Sequence, residues 1–352
     1  MTDSGRTPRR SYRKVLGEAE TESAICELRR FFESRFSQAL NLRQVRGPVL
    51  VYSDTGINDA LDGVMQPVRF RLASDPERSV EIVQSLAKWK RAALAHFGMQ
   101  PGEGLWVDML AVRPDEELDA IHSVTVDQWD WEKAIREEQR SVEYLKETVR
   151  TIYDVIRQTE RRISEKWPQL RASLPKDVAF VHTEDLEERY PNLAPPERED
   201  REAEKEGACF VIGIGHRLRA GVPHGARSPD YDDWSSRTDP AHFGLNGDII
   251  VWHPVLRRAF ELSSMGIRVD PSALREQLRL SGLRGRMLLP MNLPDYHRQV
   301  LSQTLPQSIG GGIGQSRLCM LLLRKKHIGE VQFSVWPQQL RQACRKMGVQ
   351  LR

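Results

Sequence analysis

The stretch Gly310-Gly311-Gly312-Ile313-Gly314-Gln315-Ser316-Arg317, followed by Leu318-Cys319-Met320-Leu321-Leu322-Leu323, decides how the rest of this chain is read. Four glycines in five residues let the backbone approach a ligand closely, at positions where a Cβ would obstruct. The apolar run that follows is long enough for a buried helix, so a phosphate or purine held by the glycines would lie near that helix's N-terminus. Arg317 adds a fixed, flat positive charge that can fork to phosphate or stack on a base. No Gly-Lys-Ser/Thr follows, so this is not a Walker A loop. No acidic residue closes a second strand about twenty positions on, as a dinucleotide fingerprint requires. Taken alone, such a glycine run is equally a tight turn into a core helix.

Outward from this stretch, 352 residues suffice for one large domain or two ordinary ones. With 39% hydrophobic and 29% charged residues the composition is that of an ordinary soluble protein, and a net charge of +3 is too small to argue for nucleic acid. Residues 1–16, with Arg6, Arg9, Arg10, Arg13 and Lys14, read as a disordered basic tail, and 17–352 as a single domain. Cys26, Cys209, Cys319 and Cys344 lack CxxC spacing and read as free thiols of a reducing cytosol. Neither a signal peptide nor a long uncharged apolar run is present, so a cytoplasmic protein without a membrane or nucleic-acid partner is expected.

Apolar residues at Ile25, Leu28, Phe32, Phe36 and Leu40 predict a helix over 23–40. Residues 45–52 read as a strand whose Pro48 belongs at an edge or an interface, 53–59 as a polar loop, and 68–72 as a strand. Lys88, Lys90 and Arg91 sit in one short helix, and the expectation is that they cannot all be buried. A strand over 105–112 ends in Arg113-Pro-Asp-Glu116. The strand over 122–132 puts Gln128 and Asp130 on one face and Asp127, Trp129 and Trp131 on the other. Its tryptophans either wall a polar site or pack at a strand end. Residues 132–167 read as one amphipathic helix, and 184–206, dense in charge, as an exposed excursion. Strands at 209–215, 248–252 and 260–268 precede a helix over 271–280, and two further helices bracket the glycine stretch.

These pieces make an inventory. Arg113, Arg317 and the helix cations can hold a triphosphate, and Asp248 and Glu261 are hard oxygen ligands suited to Mg²⁺. Lys90 and Arg268 can clamp a carboxylate, the arginine in bidentate fashion, while Asp59, Gln128 and Asp130 are acceptors suited to an ammonium. A cationic clamp beside an acidic cluster fits an α-amino acid next to ATP. No Ser/His/Asp elbow or HExxH motif competes.

The segments Ser85-Leu-Ala-Lys-Trp-Lys-Arg91, Arg113-Pro-Asp-Glu116, Val126-Asp-Gln-Trp-Asp-Trp-Glu132, Pro229-Asp-Tyr-Asp-Asp-Trp-Ser235, Gly244-Leu-Asn-Gly-Asp-Ile249, Phe260-Glu-Leu-Ser-Ser-Met-Gly-Ile-Arg-Val-Asp270 and 309–317 carry a family resemblance over roughly 20–340. The chain resembles the ammonia-dependent asparagine synthetases (aspartate–ammonia ligases), relatives of the class II aminoacyl-tRNA synthetase catalytic core. The resemblance implies an α+β fold with a mixed, mainly antiparallel sheet flanked by helices, and a homodimer built on the helix and strand of 23–52. It implies that the side-chain carboxylate of L-aspartate attacks the α-phosphate of ATP, and that ammonia then displaces AMP from β-aspartyl-AMP. Carried over by position, Asp59, Lys90, Gln128, Asp130, Ser264 and Arg268, with Gln84 beside them, hold the amino acid. Arg113, Glu261, Leu262, Ser263, Gly312, Gly314 and Arg317 hold the nucleotide, and Arg113, Lys90, Asp130 and Arg317 carry the chemistry. Asp248 with Glu261 is the implied Mg²⁺ anchor, and Asp232 a further candidate.

Four departures from the family pattern stand out: Gln84 in place of a histidine, Ala60 after Asp59, Met65-Gln66 in place of an acidic–basic pair, and Asp54-Thr55 in place of Gly-Asp. All are expected around the amino-acid and acceptor end. Two readings therefore stay open, drift or transfer of the aspartyl group to an amine other than ammonia. A synthetase-like core without chemistry, acting as a binding module, is the reading from another class, and the retained ATP positions argue against it.

Overall fold

The computed structural model describes residues 12–59, 61 and 65–352. In chain order its strands are β1 (Leu42–Gln44), β2 (Leu50–Tyr52), β3 (Arg69–Leu72), β4 (Asp75–Ile82), β5 (Gly104–Val112), β6 (Thr125–Ala134), β7 (Ala179–His182), β8 (Ala208–Ile212), β9 (Asn246–His253), β10 (Arg258–Ile267) and β11 (Ser308–Gly314). The α-helices are α1 (Glu18–Leu40), α2 (Ala87–His96), α3 (Val142–Lys166), α4 (Thr183–Arg189), α5 (Pro195–Glu206), α6 (Pro271–Leu280), α7 (Asp295–Leu301), α8 (Gln315–Leu322) and α9 (Gln338–Lys346). Among the described residues, eight strands form one sheet in the order β1-β5-β6-β11-β10-β9-β8-β7, and β2-β4-β3 form a smaller one. Every neighbour pair of the large sheet is antiparallel except β1–β5 and β7–β8. The expected α+β architecture, a mixed and mainly antiparallel sheet flanked by helices, is therefore present.

Alternation along β6 sorts the two faces of the sheet. Trp129 and Trp131 point under α1, where Phe32 stacks on Trp129 at 4.3 Å and Phe36 meets Trp131 edge-on at 6.1 Å. The tryptophans are thus core, and they wall no site. Gln128, Asp130 and Glu132 point the other way. Gly314, Gly312 and Gly310 of β11 are their register partners, and Gly312 and Gly310 in turn pair with Ser264 and Gly266 of β10. The glycine stretch is thus a central strand and not a turn, and none of its residues has a positive φ. Its glycines serve close approach: a Cβ at Gly310 would lie 2.0 Å from Glu132 Oε2, and one at Gly312 would lie 2.5 Å from Gln128 Oε1.

Other expectations are corrected by long-range pairing. Residues 132–134 continue β6 between β5 and β11, so the long helix begins only at Val142, where Ser141 Oγ caps the Tyr144 N–H at 3.2 Å. Of 45–52 only Leu50–Tyr52 forms a strand, although Val45 N donates to Trp106 O at 2.9 Å and Val49 O accepts from Val83 N at 3.0 Å. β4 has too many charges to read as a strand, yet it is the centre of the small sheet. The segment 184–206 is mostly helix, and Leu186 and Ala203 are buried against β8. The end of the expected tail is tethered: Tyr12 donates to Glu330 at 3.0 Å and Leu16 is buried, while 1–11 lie outside the described residues. The apolar stripe of α1 faces this chain's own core, so it is not free for a partner. No described helix is long and apolar enough to cross a membrane.

Candidate active site

The face carrying Gln128, Asp130 and Glu132 holds two joined cavities. The inner lobe, about 220 Å³, is lined by Asp59, Lys90, Gln128, Asp130, Ser264 and Arg268 among others. The outer lobe, about 280 Å³, is lined by Glu261, Leu262, Gly314 and Arg317. Arg113, Gln128, Glu261, Gly312 and Leu61 belong to both walls. Most of the expected site residues therefore meet in one place: the amino-acid set lines the inner lobe, the nucleotide set reaches from the outer lobe, and Arg113, Gln128, Glu261 and Gly312 form the shared wall.

The helix α2 delivers the first surprise, because Lys88, Lys90 and Arg91 are all buried. Each finds a partner far away in sequence. Lys88 pairs with Asp230 at 3.0 Å, and Arg91 donates to the carbonyls of Pro306 and Val269 at 3.0 and 2.7 Å. Lys90, at 0% exposure, binds the Asp130 carboxylate and donates to Gly311 O at 2.9 Å. Burial lowers the Lys90 pKa against the pull of Asp130. Asp130 Oδ2 is buried with no hydrogen-bond partner among the described residues. Asp59 Oδ1 accepts from Leu61 N at 3.0 Å, whereas Oδ2 is buried without a bond, although the Tyr231 hydroxyl is close enough to steady its charge. Burial raises the Asp59 pKa, with the Lys88 charge opposing it. Buried polar atoms left open in this way mark where a ligand's donors belong.

Arg268 forms the floor. It is 1% exposed, and its fork grips Glu132, with Nε to Oε1 at 2.9 Å and Nη2 to Oε2 at 2.7 Å, while Nη1 meets Asp232. Glu132 also accepts from Ser308 Oγ at 2.7 Å. The sequence reading missed Glu132 because it sat at the start of an expected helix. It also missed Arg227, which donates to Ser264 Oγ and to Asp248 Oδ1, each at 2.6 Å, while its Nε makes no hydrogen bond among the described residues and lies 3.8 Å from Asp232 Oδ2. The available signal was an arginine among small residues directly before the acidic run at 230–233.

In the outer lobe Arg317 Nη1 reaches Glu261 Oε2 at 3.2 Å and Glu261 O at 3.1 Å, and Arg113 keeps a buried Nε without partner among the described residues. Ser263 lines neither lobe, unlike its neighbour Leu262. The N-terminus of α8 is not open to a phosphate either. Ser316 N and Oγ both donate to Asp127, at 3.1 and 2.7 Å, so this chain's own carboxylate occupies that end.

Asp248 and Glu261 lie on adjacent strands beside a bulge between Glu261 and Ser263. Burial, and then the Glu261 charge, push Asp248 up to about 7, against the Arg227 guanidinium. Glu261 is lowered, because Arg317 and Arg227 outweigh its own burial. Asp248, half-buried and lining neither lobe, and Glu261, exposed in the wall of both, offer a divalent cation two oxygen ligands with arginine charges beside them. No group of three possible metal ligands occurs among the described residues, so such an ion would complete its shell from substrate oxygens and water. Asp232 does not join them, since it is tied to Arg268 in the inner lobe.

The departures from the family pattern do not gather at the inner lobe. Gln84 is fully buried, with both amide atoms unpartnered among the described residues, and lines neither cavity. Met65 lines the outer lobe, Asp54 pairs with Arg78 at the surface at 2.8 Å, and Ala60 lies outside the described residues.

Comparison with known proteins agrees with this geometry. The chain is 50% identical over 340 residues to an aspartate–ammonia ligase of Bacillus cytotoxicus, covering 97% of this chain and 99% of that protein. It is 49% identical over the same length to the aspartate–ammonia ligase of Bacillus cereus. Among solved structures, asparaginyl-tRNA synthetase from Pyrococcus horikoshii complexed with asparaginyl-adenylate superposes with a TM-score of 0.65 at 15% identity, over 90% of this chain and 70% of that one. The aspartyl-tRNA synthetase from Entamoeba histolytica reaches 0.58 at 17% identity, over 89% and 57%. These two likenesses establish the class II synthetase fold. Residues 19–348 match the family described as Aspartate-ammonia ligase, and the chain belongs to that family.

Proposed function

We propose that this protein ligates ammonia to the side chain of L-aspartate at the expense of ATP, forming L-asparagine, AMP and pyrophosphate. One observation carries the reading. The inner lobe sets buried Lys90 and Arg268 against the open oxygens of Asp59 and Asp130, and it joins an arginine-bearing lobe through Arg113, Gln128 and Gly312. That arrangement matches both charges of an amino acid lying next to a nucleotide.

In this reading Arg268 and Lys90 hold carboxylate, and Asp130 and Gln128 accept from the α-ammonium. Ser264 positions the substrate within the same lobe. A β-carboxylate oxygen attacks the α-phosphorus, the bond to the β-phosphate bridge breaks, and pyrophosphate leaves. Arg113 and Arg317 neutralise the charge gathering on the phosphate, which is the main catalytic contribution open to fixed guanidiniums. Mg²⁺ held by Asp248 and Glu261 would supply further neutralisation of the triphosphate. Ammonia then attacks the acyl carbon, the bond to AMP oxygen breaks, and the surplus proton passes to Asp59, whose pKa burial raises towards such a role.

We also infer a cytoplasmic homodimer. Val49 and Leu110, at 60% and 57% exposure, offer apolar surface near β2 and β5 that the α1 stripe does not, and the buried, unbridged Cys209, Cys319 and Cys344 suit a reducing compartment. The test is aspartate-dependent ATP–pyrophosphate exchange without ammonia, followed by asparagine and AMP formation when ammonia is added. Formation of ADP, or exchange indifferent to aspartate, would refute the reading.

A further inference from the structure

Behind the inner lobe lies a third cavity of about 520 Å³, larger than either lobe. It shares Ala226, Arg227 and Ser228, together with Leu61, with the inner lobe's wall. Its remaining wall comes from elements that take no part in the proposed chemistry, including His216, Pro223, Trp234 and Ser281. Once an aspartyl adenylate has formed, its nucleotide fills the outer lobe and its aspartyl group the inner one. A third reactant then needs a third way in. Resting on the ligase reading above, we propose that this cavity is the acceptor's entrance, and that it admits the acceptor as a small neutral amine rather than as ammonium.

The charge pattern of the wall supports the neutral form. Arg217 and Arg227 line the cavity, and among the described residues no carboxylate does. Arg227 is met by Asp248 at 2.6 Å and by Asp232 at 3.8 Å from outside this wall, so the exposed Arg217 is the charge that disfavours a cation here, whereas an uncharged amine passes and can bond to polar atoms on the way. His216 supplies such an atom. Its ring lies flat on Phe243 at 3.9 Å, burial lowers its pKa, and its Nδ1 is buried without a hydrogen-bond partner among the described residues. At the inner end the route reaches Leu61, whose N–H donates to Asp59 Oδ1. The amine therefore arrives beside the carboxylate that is free to take its proton after attack. A cavity of this size does not exclude amines slightly larger than ammonia, so hydroxylamine, neutral near pH 7, should use the same path.

The test blocks the entrance on folded protein. Ser281 is exposed at the end of α6, and Cys26 is the exposed cysteine among the described residues. Ser281→Cys in a Cys26→Ser background is purified, then labelled with a methyl or a bulky aromatic thiosulfonate. The bulky label is expected to cut kcat/KM for ammonia and for hydroxylamine at least tenfold, to leave aspartate-dependent pyrophosphate exchange within twofold, and to be reversed by reductant. Unchanged amide formation in the fully labelled enzyme would overturn the proposal, as would a loss of exchange equal to the loss of amide. Arg217→Glu tests the charge argument: kcat/KM for ammonia should not rise, and a severalfold rise would mean that ammonium itself enters. A wild type that performs exchange but makes no asparagine from ammonia would sink the ligase reading instead, so the two failures are distinct.

Discussion

Replacing Gly310 by alanine adds one methyl group, and its effect should be far larger than its size. Gly310 lies in extended β11 between Glu132 and Gly266, where the backbone accepts any residue. The difficulty is the side chain opposite: the new Cβ would stand 2.0 Å from Glu132 Oε2 and 2.6 Å from Arg268 Nη2. Ordinary contact requires the carboxylate to retreat by more than an ångström, which breaks its two-pronged grip on Arg268. Overpacking of this kind costs about 1–3 kcal/mol, and each hydrogen bond to a charged group contributes about 1.5–3 kcal/mol. The two costs overlap because one shift causes both. The expected loss is therefore about 3–5 kcal/mol, the range for breaking a buried ion pair from one side. In a chain of 352 residues that lowers Tm by about 4–7 °C. The same displacement turns the Arg268 fork, so KM for aspartate in pyrophosphate exchange should rise about tenfold or more while KM for ATP holds. Glu132→Asp, which retracts the carboxylate, should recover part of the Tm lost in Gly310→Ala. Gly225→Ala is the control, its nearest neighbour being a movable Ile214 methyl at 3.2 Å. If Gly310→Ala melts within about a degree of wild type and keeps its aspartate KM, the close-approach account of the glycine strand is wrong.

Further outcomes follow from single contacts. Arg317→Ala and Arg113→Ala should each lower aspartate-dependent pyrophosphate exchange about a hundredfold with the circular dichroism unchanged, and near-normal exchange in either variant removes that arginine from the phosphate site. Arg268→Lys should raise KM for aspartate well above any change for ATP, because a lysine point charge cannot replace the fork by which Glu132 orients the guanidinium in the inner lobe; equal rises would show that Arg268 does not serve the amino acid. His242 lies between Asp239 Oδ2 at 2.7 Å and Asp185 Oδ1 at 3.0 Å, and although burial opposes protonation these carboxylates raise its pKa. Its contribution to stability is therefore complete below the unfolded value of about 6.5 and disappears as pH climbs through the raised folded value. The urea midpoint of wild type minus that of His242→Asn should shrink between about pH 6 and pH 9, and a flat difference would show that the imidazole is never charged there.

Local rules were enough for much of this molecule. The predicted helix over 271–280 coincides with α6 because Asp270 caps it and Pro271 opens it, both within one turn. Alternation along 122–132 separates Gln128 and Asp130 from the tryptophans, since the period of a strand is a property of the backbone alone. The motif segments identify the family, and with it most of the residues that line the two lobes. What the sequence could not decide depended on partners distant along the chain. Three adjacent cations looked impossible to bury until the fold brought Asp130, Asp230 and the Val269 and Pro306 carbonyls to them. The glycine run looked like a loop, because only pairing with β6 and β10 on either side makes it a strand. Glu132 looked like the first turn of a helix, and Arg227 did not stand out. Their roles exist only through register and counter-charge, which tertiary structure sets and no local pattern encodes.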